Sequence, residues 1–213
     1  MNVHLEGVSL NNKETQGKKA EILEAATQVI SRKGYYQARP QDIAEEANVS
    51  VGTIYNYFES KQDILLEIFA REFEDREKFY EELSDQDLPL LEKIKRILER
   101  HFSKLASHKA MMRVIVQERF KPESKLGRKL NSLHEKIVHY IEELIDQALD
   151  RGQIRPCNPS IVASALFGAV QSTVAYGTLS EDSNEEEFFE QAPEELAEFF
   201  WCGLRGPGSR GED

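Results

Sequence analysis

The chain has 213 residues, 40% of them hydrophobic and 31% charged, and a formal net charge of −11. That balance supports a buried core and excludes a chain left disordered for want of apolar residues. With no apolar run near the roughly 20 residues that span a bilayer and no secretory leader, a cytoplasmic protein without a membrane partner is expected.

In chain order, residues 1–17 (MNVHLEGVSLNNKETQG) read as a polar, flexible arm. From Lys18 to Gly34, the apolar Ile22, Ala25, Ala26, Val29 and Ile30 follow the i, i+3, i+4, i+7, i+8 spacing of one helix face. Gly34 suits the left-handed position that ends this helix, and Arg32 and Lys33 complement its negative end. A short helix is expected over 39–47, with Pro40 tolerated in its first turn. Asn48-Val49-Ser50 then makes a tight turn, Asn48 taking left-handed backbone and Ser50 serving as an N-cap. The next helix is short, 51–58, and Ser60 caps a long fourth one running from 61 toward 83. Beyond a break at 85–89, helices are expected at 90–107, 110–120, 123–151, 160–178 and 187–204. Gly152 stops the seventh, and an acidic loop over 181–187 precedes the last. The fold class is therefore all-α, with about nine helices, and the glycine-rich end from 205 to 213 is expected to be disordered.

The stretch QDIAEEANVSVGTIYNYFESKQDILL carries the functional signal. Two short helices joined by a three-to-four-residue turn, the second rich in small polar and aromatic side chains, are the ingredients of a helix-turn-helix. Ile43, Val49, Ile54 and Phe58 can close a small core with Ile22 and Val29, while Ala44 lets the two helices approach. That leaves Val51, Gly52, Thr53, Tyr55, Asn56 and Tyr57 for the outer face or the helix start. Hydroxyls of Thr and Tyr bond phosphates, Asn reads adenine through two hydrogen bonds, and Gly52 admits a phosphate close to the backbone.

Across about Lys18–Phe69 the sequence resembles the TetR/AcrR family of bacterial repressors: a first helix ending in GYY, then DIAEEANVS, then VGTIYNYFESKQDIL leading into a long fourth helix. The resemblance implies DNA contact by Val51, Gly52, Thr53, Tyr55, Asn56 and Tyr57. It places Lys61 on a backbone phosphate and makes Gln41 a second anchor. Two departures are visible. Ala38 stands where the family commonly caps with Thr or Ser, a loss of about 1 kcal/mol. Val51 stands where a polar or basic residue is frequent. The resemblance further implies a homodimer reading a double-stranded DNA operator, with a three-helix head (18–61) and a ligand-binding and dimerising body (62–204). The small residues Ala163, Ala165, Gly168, Ala169, Ser172 and Ala175, and the aromatic load of Phe199, Phe200 and Trp201 beside Leu196, allow a four-helix bundle between two copies.

Charge is unevenly spread. Residues 13–61 hold seven basic and seven acidic residues, 62–92 three against eleven, 93–129 twelve against three, and 130–213 five against sixteen. The head is thus neutral, and the basic segment lies in the body. That segment surrounds apolar helices and reads either as a solvated face or as a cationic rim on an apolar tunnel suited to an amphiphilic anion. On the second reading Met112, Arg113, Val116, Arg119, Phe120, Arg128 and Lys129 are candidate ligand residues. The body is also similar to the fatty-acid-responsive, FadR-type branch of the family (HFSKLASHKAMMRVIVQE, FGAVQSTVAYG), which implies long-chain acyl-CoA as the small-molecule effector and no cofactor. Ligand binding would then swing the fourth helix and take the heads out of operator register.

Two other functions stay open. A repressor of an efflux gene would want aromatics and carboxylates around a cationic drug. An enzyme is the remote alternative: no GxSxG, P-loop or paired nucleophile and base is present. The cysteines, Cys157 and Cys202, stand outside any CxxC spacing, and the five histidines show no ligand spacing, so neither a disulfide framework nor a metal site is expected.

Overall fold

The computed structural model describes residues 3–107, 109–118, 123–179 and 185–206, with side chains described over 15–105, 111, 113–116, 123–179 and 187–206. Among the described residues there are nine helices and no strand: α1 (Val3–Lys33), α2 (Pro40–Glu46), α3 (Val51–Tyr57), α4 (Lys61–Ser84), α5 (Leu90–Ser107), α6 (Lys109–Glu118), α7 (Lys125–Asp150), α8 (Pro159–Leu179) and α9 (Glu185–Leu204). The backbone from residue 3 to 17, expected as an arm, continues α1. Its polar sequence hid it, because periodicity detects a buried face rather than a helix as such. Residues 207–213 of the expected tail and 181–184 of the expected acidic loop lie outside the described residues, and α9 begins at Glu185.

The chain divides into two compact units, residues 1–73 and 74–213. The expected boundary at 61/62 is therefore displaced into α4. The reason is packing: Ile64, Leu65, Ile68, Phe69 and Phe73 on the first turns of α4 are buried, and Lys19 on α1 pairs with Glu67 at 2.6 Å. These turns belong to the head.

In the first unit, Ile22, Ala26, Val29, Ile30, Ile43 and Ile54 are at most 1% exposed and form the core of α1, α2 and α3. The sequence terminates each element. Gly34 sits at φ +80 and donates its N–H to Ile30 O at 2.8 Å. Asn48, at φ 50, is the one non-glycine residue with left-handed backbone among those described.

In the second unit, α5 packs against α9, α7 against α8, and α8 against α9. The core joins the inward residues of α5 (Ile94, Leu98, Phe102) to Leu144 and Ile145 of α7, Leu166 and Val174 of α8, and Phe189, Ala197 and Phe200 of α9. Ser124 caps α7 by accepting from Gly127 N–H at 2.8 Å, and Gly152 at φ +66 ends it. The last carbonyls of α9 are not left to solvent: Arg155 N–H donates to Leu204 O at 2.9 Å and Arg155 Nε to Gly203 O at 2.7 Å.

α8 is long and apolar enough, by length and composition, to cross a membrane. Its inward side is buried at Ala163, Leu166, Val174 and Gly177. Its outward side runs Ile161, Ala165, Gly168, Ser172, Tyr176 and Leu179, all exposed and spaced on one helix face. On α9, Phe199 is 70% exposed while Phe200 is buried.

Gly177 marks a close approach of α8 to α9. A Cβ there would meet Phe189 at 2.6 Å and Phe188 at 2.8 Å. Gly177→Ala is expected to destabilise the protein by about 1–2 kcal/mol, overpacking outweighing alanine's better helix propensity. In thermal unfolding this reads as a Tm lower by about 2–8 °C.

Candidate nucleic-acid interface and effector cavity

The helix-turn-helix is built by local rules. Arg39 is the N-cap residue of α2, and its N–H donates to Asp42 Oδ2 at 2.8 Å. Ala38 is therefore not a weakened cap. It is 1% exposed and belongs to the core, and the Asp42 carboxylate supplies the capping contact from within the helix. Lys33 also bonds Asp42, at 2.8 Å. These donors, Lys33 first and then the Arg39 amide, hold the Asp42 carboxyl below its usual range. After α2, the Val49 N–H reaches Ala44 O at 2.9 Å across the left-handed Asn48. Ser50 then caps α3 by accepting from Thr53 N–H at 3.0 Å.

This geometry fixes which side of α3 faces out. Ile54 is fully buried and Phe58 nearly so, which turns Gly52, Tyr55 and Asn56 to solvent, with Tyr55 51% exposed. Val51, Thr53 and Tyr57 flank that face and are half-buried, and Gln41 is exposed on the second position of α2. Thr53 Oγ1 lies 2.9 Å from Ser50 Oγ. The eight expected residues thus fall at the surface or its margin, as an N-capped helix with a small residue and polar side chains outward requires for groove contact. Tyr36, 61% exposed and packed edge-on against Tyr35, and the exposed Arg39 adjoin the motif in sequence; neither was singled out.

Lys61 has a task within the head itself. Its ammonium donates to Tyr35 O at 2.8 Å and Ala38 O at 2.9 Å, and stands 4.5 Å from the Tyr35 ring centroid. Burial lowers its pKa from the ordinary lysine value. Two of its three N–H groups thus hold the α1–α2 loop.

The second unit holds a cavity of about 60 Å³. Its wall comes from α4 (Arg76, Tyr80), α5 (Leu90, Ile94, Ile97, Leu98, His101), α7 (Ile137, Ile141, Leu144, Ile145), α8 (Leu166, Phe167, Val170, Gln171) and α9 (Phe200). Tyr80 stacks on Tyr140, centroids 4.3 Å apart, and the Tyr140 hydroxyl donates to Tyr80 O at 2.6 Å. Burial pushes both phenols up. His101 Nε2 is covered and has no hydrogen-bond partner. Burial first, then the charges of Arg76 and His134, lower its pKa to about 3, so the ring is neutral throughout the physiological range.

The expected ligand residues of the basic segment that are described lie elsewhere. Val116 is buried in the core, Arg113, Arg128 and Lys129 are exposed, and Arg128 donates to the nearby Glu123 O at 2.6 Å. None of these four lines the cavity. Arg119, Phe120 and the side chain of Met112 lie outside the described residues. What sequence reasoning missed was the set Arg76, Tyr80, His101 and Gln171. A partial signal existed: His101 continues the inward series Leu90, Ile94, Leu98 on α5.

Comparison with known proteins follows this division. The family described as "Bacterial regulatory proteins, tetR family" matches residues 22–68, and "Tetracyclin repressor-like, C-terminal domain" matches residues 87–176. Among curated relatives, the fatty acid metabolism regulator protein of Bacillus subtilis is 28% identical over 163 residues, which is 76% of this chain and 84% of that protein. The repressor KstR of Rhodococcus jostii is 38% identical, over 65 residues and 30% of the chain. The fold is shared with the transcriptional regulator FadR of Bacillus subtilis solved in complex with stearoyl-CoA, at TM-score 0.73 and 24% identity, covering 87% of this chain and 99% of that one. The fatty acid degradation regulator FadR of Bacillus halodurans aligns at TM-score 0.73 and 23% identity, over 92% and 97% of the two chains.

Proposed function

We infer that this chain, which belongs to the TetR family of bacterial regulatory proteins through both its head and its body, is a repressor of fatty-acid metabolism genes that long-chain acyl-CoA releases from its operator. It is a transcriptional regulator rather than an enzyme, as the matched families are. The reading of a palindromic operator by a cytoplasmic homodimer is part of the same proposal.

The observation that carries the DNA-binding half is the outward face of α3. Gly52, Tyr55 and Asn56 are exposed beside an N-cap, and the buried Ile54 prevents the helix from rolling. Tyr55 and Thr53 offer hydroxyls to phosphates and Asn56 an amide to a base edge, while Gln41 and Lys61 anchor the flanks. The exposed stripe of α8 and Phe199 on α9 supply an apolar surface for a second copy. A twofold pair would set its recognition helices about 34–36 Å apart, in successive major grooves.

The acyl-CoA half is supported by the relative that regulates fatty acid metabolism and by the neighbour that holds stearoyl-CoA. The cavity agrees in chemistry: it is largely apolar, and among the described residues one arginine lines it and no carboxylate does, which disfavours cationic drugs. At about 60 Å³ it is far smaller than the roughly 300–1,000 Å³ of ordinary ligand sites. A long chain must therefore widen it, and the ligand acts by stabilising that wider state. α4 contributes Arg76 and Tyr80 to the cavity and Lys61 to the head.

A mobility-shift assay on the DNA upstream of its own gene tests both halves, with CoA, palmitoyl-CoA and a cationic dye added separately. Palmitoyl-CoA is expected to release the DNA, and CoA is not. Release by the dye and not by palmitoyl-CoA would replace the acyl reading with the efflux one.

A further inference from the structure

The cavity wall is apolar along most of its length, but four polar side chains interrupt it, and one of them is unexplained by packing. His101 occupies an inward position of α5 and its Nε2 has no hydrogen-bond partner. A buried nitrogen left unbonded forfeits the hydration it had in the unfolded chain, so phenylalanine would serve the packing better. Arg76 and His134 are the charged or titratable groups that act on the ring, and the Tyr80 hydroxyl and Gln171 amide complete the polar part of the wall. From Leu90 to His101 α5 rises about 16 Å, at 1.5 Å per residue. The stretch of α5 that faces the cavity thus runs from apolar Leu90 to polar His101, and the polar side chains around the cavity include no carboxylate among the described residues.

We propose that His101 reads the acyl carbonyl of a long-chain ligand, its Nε2–H tautomer donating to the carbonyl oxygen with the Arg76 guanidinium as the second donor. The inference rests on the acyl-effector reading above and adds the residues that recognise the acyl group itself. A single carbonyl or carboxylate matches one neutral ring and one guanidinium, whereas the diphosphate of CoA carries more charge than this wall answers and stays outside it. The shared chemistry, a carbonyl oxygen at the head of a long chain, is offered by an acyl thioester and by a free fatty acid alike. Widening the cavity to admit a chain moves the side chains that now cover Nε2, so filling the cavity and exposing the nitrogen are one event.

The test is calorimetric titration of the full chain with palmitoyl-CoA, palmitate and hexadecan-1-ol, which has the chain without the carbonyl. Wild type is compared with His101→Phe and His101→Leu. Wild type is expected to bind at least one acyl ligand, and both variants to bind it about tenfold more weakly, a loss of about 1.4 kcal/mol. Binding of hexadecan-1-ol is expected to be unchanged, and the ligand-free variants to melt no lower than wild type. Binding of palmitoyl-CoA alone assigns the thioester and of palmitate alone the carboxylate; either supports the proposal. Equal acyl binding by wild type and both variants, or an equal loss for hexadecan-1-ol, overturns the carbonyl assignment and leaves the acyl effector standing. A wild type that binds neither acyl ligand overturns both. Should a variant fail to fold, the ¹⁵N shift of His101 Nε2 in wild type decides, being expected to move with the acyl ligand and not with hexadecan-1-ol.

Discussion

Replacing Tyr55 and Asn56 together by alanine is expected to weaken operator binding by at least about a hundredfold while leaving the melting temperature within about 2 °C of wild type. Both side chains are exposed on α3, so truncating them removes little packing, and surface changes of this kind stay within about 0.5 kcal/mol each. In the complex each good base-edge or phosphate contact is worth about 1–3 kcal/mol, and a twofold dimer loses every contact twice. Fluorescence anisotropy on labelled operator, alongside circular dichroism, separates the two effects. An affinity within threefold of wild type would remove the α3 face from the interface. Ile54→Asp is the contrasting control: Ile54 is fully buried, so that variant is expected to lose the head's fold and DNA binding together.

The second large effect concerns assembly. Ile161→Glu combined with Phe199→Glu is expected to convert a dimer to a monomer in light scattering and to reduce operator affinity by about 10²–10⁴-fold. Ile161 is 68% and Phe199 70% exposed, so both project largely outside the core of their own chain. Coupling two half-site readers raises the effective concentration of the second by factors of this size, and the monomer forfeits the gain. A double variant that remains dimeric and binds DNA normally would place the interface elsewhere. Unlike the Tyr55/Asn56 variant, the monomer keeps its half-site preference, so mismatches in the operator should still discriminate.

These two predictions draw on features of very different legibility. The head could be read because its geometry is local. Asn48 and Gly34 take the backbone conformations their types favour, Ser50 caps the helix that follows it, and Ile43 and Ile54 sit at inward positions of short periodic runs. Ala38 was misplaced for an equally local reason: a side chain in α2, Asp42, replaced the cap that was sought before the helix. The cavity was not legible, because it is made where four helices meet α4 and no single segment contains it. Periodicity puts His101 and Gln171 inward but cannot say which inward group lacks a partner. The basic run from 93 to 129 stands out by density of charge, yet Arg113, Arg128 and Lys129 within it are exposed and do not line the cavity. Arg76, one of three basic residues in the acidic stretch 62–92, does not stand out by the same criterion.

The ammonium of Lys61 does more than balance charge, since it fastens the first turn of α4 to two carbonyls within the α1–α2 loop. The loop between Gly34 and Arg39 consequently has no slack in which a displacement of that turn can dissipate. In amide hydrogen exchange, the backbone of residues 35–38 and the opening turn of α4 should therefore behave as one cooperative unit, opening together and closing together. A strain applied to the start of α4 would pass directly into the loop that opens α2, much as a load is carried by a braced joint.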